Sequence, residues 1–181
     1  MLDFSRVLNS KVDKLIIAPI FGFAILGNYY LGIQIFYLLT LLPSIIFYYT
    51  LPQDAIGKTN SKLKKLTCLA SGILALLGIF LAPILIPYLF PKFLDAVLII
   101  QILSIAIIPK TISSMYLSEF IGNQKIMTVL IGSIIFVTIQ VSLILILGEL
   151  YGVLGLALSM VFANIAEAGY LLSMKRIKLK N

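Results

Sequence analysis

Two charged residues stand inside long apolar stretches of this sequence, where a charge is unusual. Lys110 follows Pro109 near the middle of the stretch from about residue 94 to residue 120, and Glu167 lies in the stretch from about residue 151 to residue 173. Burying a charge among apolar side chains is costly, so such residues commonly mark a pathway, a binding site or a buried pair. We treat both as candidate substrate-binding residues.

Lys110 is the first candidate for binding an anion. If its stretch is helical, Ser113 and Ser114 lie on the same face, three and four residues further along the chain. Pro109 has no N–H group and frees one backbone carbonyl of the helix. An interrupted helix beside a cation is typical of transporter cavities and suits an anionic group such as phosphate. Two alternatives stay open: a structural ion pair with an acid on a neighbouring helix, and a shallower helix position.

Glu167 is the acidic counterpart of Lys110. It continues a ridge of small residues that recurs every four positions: Gly155, Ser159 and Ala163. Such ridges favour close helix packing, and Asn164 lies on the same face three residues before Glu167. We expect Glu167 either to pair with Lys110 or to take up a coupling proton. The alternative is that its side chain extends to the cytoplasmic surface of the membrane.

A second charged group opens the first apolar stretch. Lys11, Asp13 and Lys14 lie within four residues of one another. If the helix begins near Phe4, these residues reach the wall of an inward-facing cavity and form a second candidate site for an anion. The alternative is that they anchor the helix at the interface, as basic residues on the cytoplasmic side commonly do.

The remaining polar residues point away from catalysis. Gln101 is a lesser binding candidate, because single amides in membrane helices more often hydrogen-bond to a neighbouring helix. The sequence has no histidine, a single cysteine (Cys68), no nucleophile elbow and no Walker-type phosphate loop. We therefore predict that the protein is not an enzyme and has neither a metal nor a cofactor. Transport, if any, would be driven by a gradient or a potential, or would run downhill.

The elements that must position these residues are membrane helices. Hydrophobic residues make up 61% of the 181 residues and charged residues 12%, with a mean hydropathy of +1.11, whereas soluble domains are roughly 45–50% apolar and about 25% charged. We predict an all-α membrane protein in which residues 1–181 form one transmembrane domain of six spans. Gly27 and Asn28 would form the turn between the first two spans. The approximate ranges are 12–26, 30–50, 66–88, 94–120, 126–147 and 151–173.

Lysine and arginine residues predict the orientation of these spans. With the N-terminus inside, twelve of the 14 basic residues fall on the inner side, and the outer loops receive only Lys92. Short cytoplasmic loops of membrane proteins carry such an excess. We predict a multi-pass protein of the cell membrane with both termini in the cytoplasm. These loops, facing anionic lipid, account for the net charge of +7, so we expect no nucleic-acid partner.

Several short motifs, in order along nearly the whole chain, resemble a known family of exporters. They are Lys11-Val-Asp-Lys-Leu-Ile-Ile-Ala-Pro-Ile-Phe-Gly, Leu26-Gly-Asn-Tyr-Tyr, Tyr88-Leu-Phe-Pro-Lys-Phe-Leu-Asp-Ala, Gly122-Asn-Gln-Lys and Tyr151-Gly-Val-Leu-Gly-Leu-Ala. The chain resembles the C-terminal half of polysaccharide flippases of the Wzx type, in the multidrug/oligosaccharidyl-lipid/polysaccharide exporter superfamily. Phe90-Pro91 stands where the family pattern has Phe-Gly.

The resemblance implies a function in surface polysaccharide biosynthesis. Proteins of this family flip a lipid-linked oligosaccharide between two six-helix lobes, whose central cavity has cationic residues for the diphosphate. By position, Lys11, Asp13, Lys14 and Lys110 would be nearest to that cavity. This chain would supply one lobe, and its partners would be membrane lipid, the lipid-linked oligosaccharide and a second six-helix half. The alternative is a structural or interaction subunit of a membrane complex that transports nothing.

Overall fold

The computed structural model describes Ile17 and residues 19–178, and nearly all of this part of the chain is helical. Its main helices are α1 (Phe23–Leu39), α2 (Leu41–Ala55), α3 (Ser61–Leu89), α4 (Ala96–Gly122), α5 (Ile126–Tyr151) and α6 (Val153–Lys178). The described residues contain no strand. The predicted all-α class is therefore confirmed.

Helices α3 to α6 are each long and apolar enough to cross a membrane. Helix α3, with 29 residues, is about 44 Å long, well beyond the roughly 30 Å of a hydrocarbon core. Helices α1 and α2 qualify together as one span that bends by 48°. The protein is thus a multi-pass membrane protein with four or five spans in the described part. The predicted first span, 12–26, begins among residues outside it, so the count of six stays a prediction.

The predicted turn at Gly27 and Asn28 is wrong, because α1 runs through both residues. Gly27 instead permits close packing: a Cβ atom there would lie 3.3 Å from the Cε1 atom of Phe93. The backbone turns earlier, at Gly22, where φ is +84°, a value that residues with a side chain rarely adopt. Gly27 and Asn28 favour a turn, but backbone groups inside a membrane must form hydrogen bonds within the protein, and a continuous helix provides them.

A second break divides the predicted span 30–50 at Thr40. The hydroxyl of Thr40 donates to the carbonyl oxygens of Phe36 (3.0 Å) and Tyr37 (3.1 Å), and such bonds to the preceding turn often bend helices. Pro43 has no N–H group to donate to the carbonyl of Leu39. These two effects together account for the bend between α1 and α2.

One end of the bundle collects most of the basic residues. Helices α2, α4 and α6 end there and α3 and α5 begin there, since Asp54 bonds to Lys64, and Glu119 to Lys175. We call this the lysine-rich end, where the basic residues include Lys58, Lys62, Lys64, Lys65, Lys125, Lys175 and Arg176. Lys92 follows the far end of α3. The predicted alternation of basic loops therefore matches the arrangement of the described helices.

Helix α4 occupies the centre and packs against every other described helix. Its contacts are close, because a Cβ atom added to Gly78 on α3 would overlap the Ser104 side chain. On α6, Ser159 and Ala163 of the small-residue ridge are fully buried. The outer face of α3 carries large exposed apolar side chains that suit contact with lipid: Leu66, Leu69, Ile73, Phe80 and Ile84.

Candidate functional site: a buried ion pair between α4 and α6

The two charged residues of the apolar stretches meet inside the bundle. Lys110 Nζ lies 3.8 Å from Glu167 Oε2, and the pair joins α4 to α6. Lys110 is twelve residues, or about 18 Å, from the end of α4 at Gly122, which places it near half the length of the helix. The expected pairing of Lys110 with Glu167 is thus confirmed.

The two partners differ sharply in exposure. The Glu167 side chain is 1% exposed, whereas the Lys110 side chain is 32% exposed. The alternative in which Glu167 extends to the membrane surface is therefore wrong. Lys110 also lies over the ring of Phe136 on α5, 5.5 Å from its centroid, a favourable cation–π distance.

Polar atoms near this pair are buried without hydrogen-bond partners. They belong to Ser113 (Oγ), Gln140 (Nε2), Asn164 (Oδ1) and Glu167 (Oε2). Helix periodicity places Ser113 one turn from Lys110, Asn164 one turn from Glu167, and Gln140 one turn from Phe136. A buried polar atom without a partner costs about 1–3 kcal/mol. These atoms are therefore available to bind a polar group. We call Lys110, Glu167 and the residues of these atoms the polar layer.

The other predicted site residues do not belong to the polar layer. Ser114, on the predicted Lys110 face, donates its hydroxyl to the carbonyl of Lys110 (2.9 Å). Gln101 lies nine residues before Lys110, and its Nε2 donates to the carbonyl of Ile79 on α3 (3.1 Å). Gln101 thus makes the interhelical bond expected of a single amide. Lys11, Asp13 and Lys14 lie outside the described residues.

A second polar cluster, at the lysine-rich end, links α2, α3 and α4. Asp54 Oδ2 accepts hydrogen bonds from Lys64 Nζ (2.7 Å) and Ser118 Oγ (2.5 Å). Lys64 Nζ also donates to the carbonyl of Met115 (3.2 Å), and the Ser118 hydroxyl lies 3.1 Å from that of Thr50. The Asp54 side chain is 0% exposed and that of Lys64 11%.

Glu119 extends this cluster to α6. Its Oε2 accepts a hydrogen bond from Lys175 Nζ at 2.7 Å and lies 3.8 Å from Lys64 Nζ. Lys175 Nζ also lies 4.9 Å from the centre of the Tyr116 ring. The short bonds indicate that these charges stabilise the packing of the helices, while about a third of the Lys175 side chain stays exposed.

The sequence did not predict this cluster. Asp54 lies between the predicted spans 30–50 and 66–88, and Lys64 and Lys175 are among the twelve basic residues predicted on the inner side. The available signal was the opposite charge of Asp54 and Lys64 on either side of a short connection. Ser118 carried no signal, since 64 residues separate it from Asp54.

No family model, curated protein or solved structure matches this chain. The resemblance to the polysaccharide flippases therefore rests on the motifs of the sequence.

The ion pair of α4 and α6 is suited to exchanging partners. Its separation of 3.8 Å exceeds the roughly 2.7–2.9 Å of a charge-assisted hydrogen bond, so Lys110 is held loosely. About a third of the Lys110 side chain is exposed, and its ammonium group lies over the Phe136 ring. Within the described residues, no group of three or more metal-ligating side chains occurs.

Proposed function

We propose that this chain is one lobe of a flippase for lipid-linked oligosaccharide, with Lys110 binding the anionic diphosphate of the substrate. The observation that carries the proposal is the loose Lys110–Glu167 pair near half the length of α4 and α6. A purely structural pair has no need of an accessible cation and nearby unused polar atoms. The order of the flippase-like motifs adds the substrate class and the role in surface polysaccharide biosynthesis.

In the proposed orientation the lysine-rich end lies on the cytoplasmic side of the cell membrane, because basic residues accumulate on that side. Lys92 is then outside. A second six-helix half is the proposed partner, since a cavity for a large amphiphile needs walls on both sides. No enzymatic step is assigned to the chain.

Replacing Lys110 tests the proposal in cells that make the surface polysaccharide. Lys110→Ala is expected to lower polysaccharide export at least tenfold, while Lys110→Arg keeps part of it because the charge remains. Lys62→Ala, an exposed lysine outside the pair, is the matched control and keeps full export. Immunoblots of membrane fractions must show equal amounts of each variant.

Unchanged export with Lys110→Ala, at normal membrane levels, would exclude Lys110 as the binding residue. If deletion of the whole chain also leaves export intact, the flippase proposal fails. A complex that loses its assembly on that deletion would then support the interaction subunit instead.

A further inference from the structure

A separate cavity lies at the lysine-rich end, between α3, α4 and α6. Its volume is about 540 Å³, within the roughly 300–1,000 Å³ of small-molecule sites. Lys175, on its wall, is eight residues from Glu167 along α6, or about 12 Å. On α4 the cavity is lined by Ile112, which helix geometry places on nearly the opposite face from Lys110. The cavity is therefore distinct from the ion pair.

The outer part of this cavity is cationic and carries hydroxyl groups. It is lined by Thr59, Ser61, Lys64, Lys65 and Lys175, and no acidic side chain lines it. Asp54 and Glu119 hold Lys64 and Lys175. Lys65 is exposed and has no carboxylate within 4.0 Å in the part of the chain that the structure describes. Its ammonium is free to meet an anion.

The start of α3 adds to this positive field. Ser61 is the first residue of α3, and the preceding Asn60 accepts a hydrogen bond from the Leu63 N–H at 3.0 Å. Thr59 and Ser61 at this helix end line the cavity, and the helix dipole makes the N-terminal end of α3 favourable for anions. The dipole alone would not define a site, but here it supports three lysines on one cavity.

The inner part of the cavity is apolar and continues onto the lipid-facing surface. It is lined by Cys68, Leu69, Ile112 and Leu172. Leu69 is 68% exposed and belongs to the outer face of α3, one turn before Ile73. A molecule in this cavity therefore meets cations at the level of the helix ends and apolar side chains deeper in the membrane.

We propose that this cavity binds a bulk anionic phospholipid, with the phosphate held by Lys65 and Lys175 and an acyl chain lying along Leu69. Free phosphate would use the cationic part only and would leave the apolar part without a role. A zwitterionic phospholipid would bring its own cation towards the lysines. The amphipathic lining thus favours an anionic lipid, and the proposal is independent of the transport function.

Lipid binding to the purified full chain tests this site. Native mass spectrometry in detergent would compare dioleoyl phosphatidylglycerol with dioleoyl phosphatidylcholine. The anionic lipid is expected to bind at least tenfold more tightly. Each lysine near an anionic headgroup contributes about a fivefold gain in affinity, so Lys65→Gln should weaken its binding about fivefold. Adding Lys175→Gln should bring the loss to about twenty-five-fold.

Lys62→Gln is the matched control, because Lys62 is exposed on the same turn of α3 but does not line the cavity. It should change the affinity less than twofold. Equal affinity for the two lipids would overturn the proposal, and so would an equal effect of Lys62→Gln and Lys65→Gln, which would indicate general surface electrostatics. The Lys65→Gln variant alone keeps the test valid if loss of Lys175 disturbs the fold.

The single cysteine reports occupancy of the site without further engineering. Cys68 lines the cavity and is partly buried. Alkylation by N-ethylmaleimide should be several-fold slower in nanodiscs of phosphatidylglycerol than of phosphatidylcholine, and Lys65→Gln should remove most of that protection. Equal protection by inorganic phosphate in phosphatidylcholine nanodiscs would overturn the assignment to a lipid. Protection that persists unchanged in Lys65→Gln would overturn the assignment to this cavity.

Discussion

Replacing Lys110 should lower the free energy of unfolding more than replacing Glu167, although the two residues form one ion pair. Lys110→Met leaves a carboxylate with 1% exposure and no counter-ion. Removing one partner of a buried pair costs about 3–5 kcal/mol, and the long separation places this change near the lower value, about 3 kcal/mol. Glu167→Gln leaves a lysine that is 32% exposed and rests on the Phe136 ring, so its cost is about 1 kcal/mol.

The double variant, Lys110→Met with Glu167→Gln, removes both charges. Its stability should return to within about 1 kcal/mol of the wild type, since no charge stays buried without a partner. The two substitutions are then coupled by roughly 3 kcal/mol. Pulse proteolysis during unfolding in mixed micelles of dodecyl sulfate would measure all three variants, with the exposed Lys62→Met as control.

Two results would refute this reasoning. A cost of Glu167→Gln equal to or above that of Lys110→Met would show that exposure does not decide the asymmetry. Additive costs in the double variant would show that the two side chains do not interact. The double variant also distinguishes an effect on folding from an effect on transport. The proposed function predicts that this variant folds well and exports no polysaccharide.

Three further predictions concern other parts of the bundle. Asp54→Ala should lower the free energy of unfolding by about 3 kcal/mol, because it leaves Lys64 buried without its carboxylate; the same proteolysis assay applies. Gly155→Val should prevent the close approach of α6 to the carbonyl of Leu147. Thermal unfolding followed by circular dichroism should show that the free energy of unfolding falls by about 2 kcal/mol or more, the usual cost of overpacking. Pro43→Ala should reduce the bend between α1 and α2, lengthening the distance between spin labels on the two helices.

Much of the fold could be predicted from the sequence because apolar length alone defines a membrane helix. The helices α3 to α6 match four predicted spans, and the alternation of basic loops matches the lysine-rich end. The turn at Gly27 failed for a physical reason. Glycine permits a turn, but at this position its missing side chain serves close packing against Phe93, which no local pattern reveals.

The candidate site was predictable in part. Lys110 and Glu167 are isolated charges in apolar segments, and two opposite charges buried in one bundle stabilise each other. The Asp54 cluster could not be found in the same way. Its members lie at helix ends, where charges are ordinary, and their contacts depend on how α2, α3, α4 and α6 meet in space.

The central position of α4 has a consequence for assembly. Helices α1, α2 and α3 pack far less against one another than against α4, although all three are synthesised before it. They therefore enter the membrane without their main partner, and the hairpin of α3 and α4 is the first unit that can become compact. Helices α5 and α6 pack closely on each other and contact α4 mainly through α6, so we expect each hairpin to form first and the two hairpins then to dock.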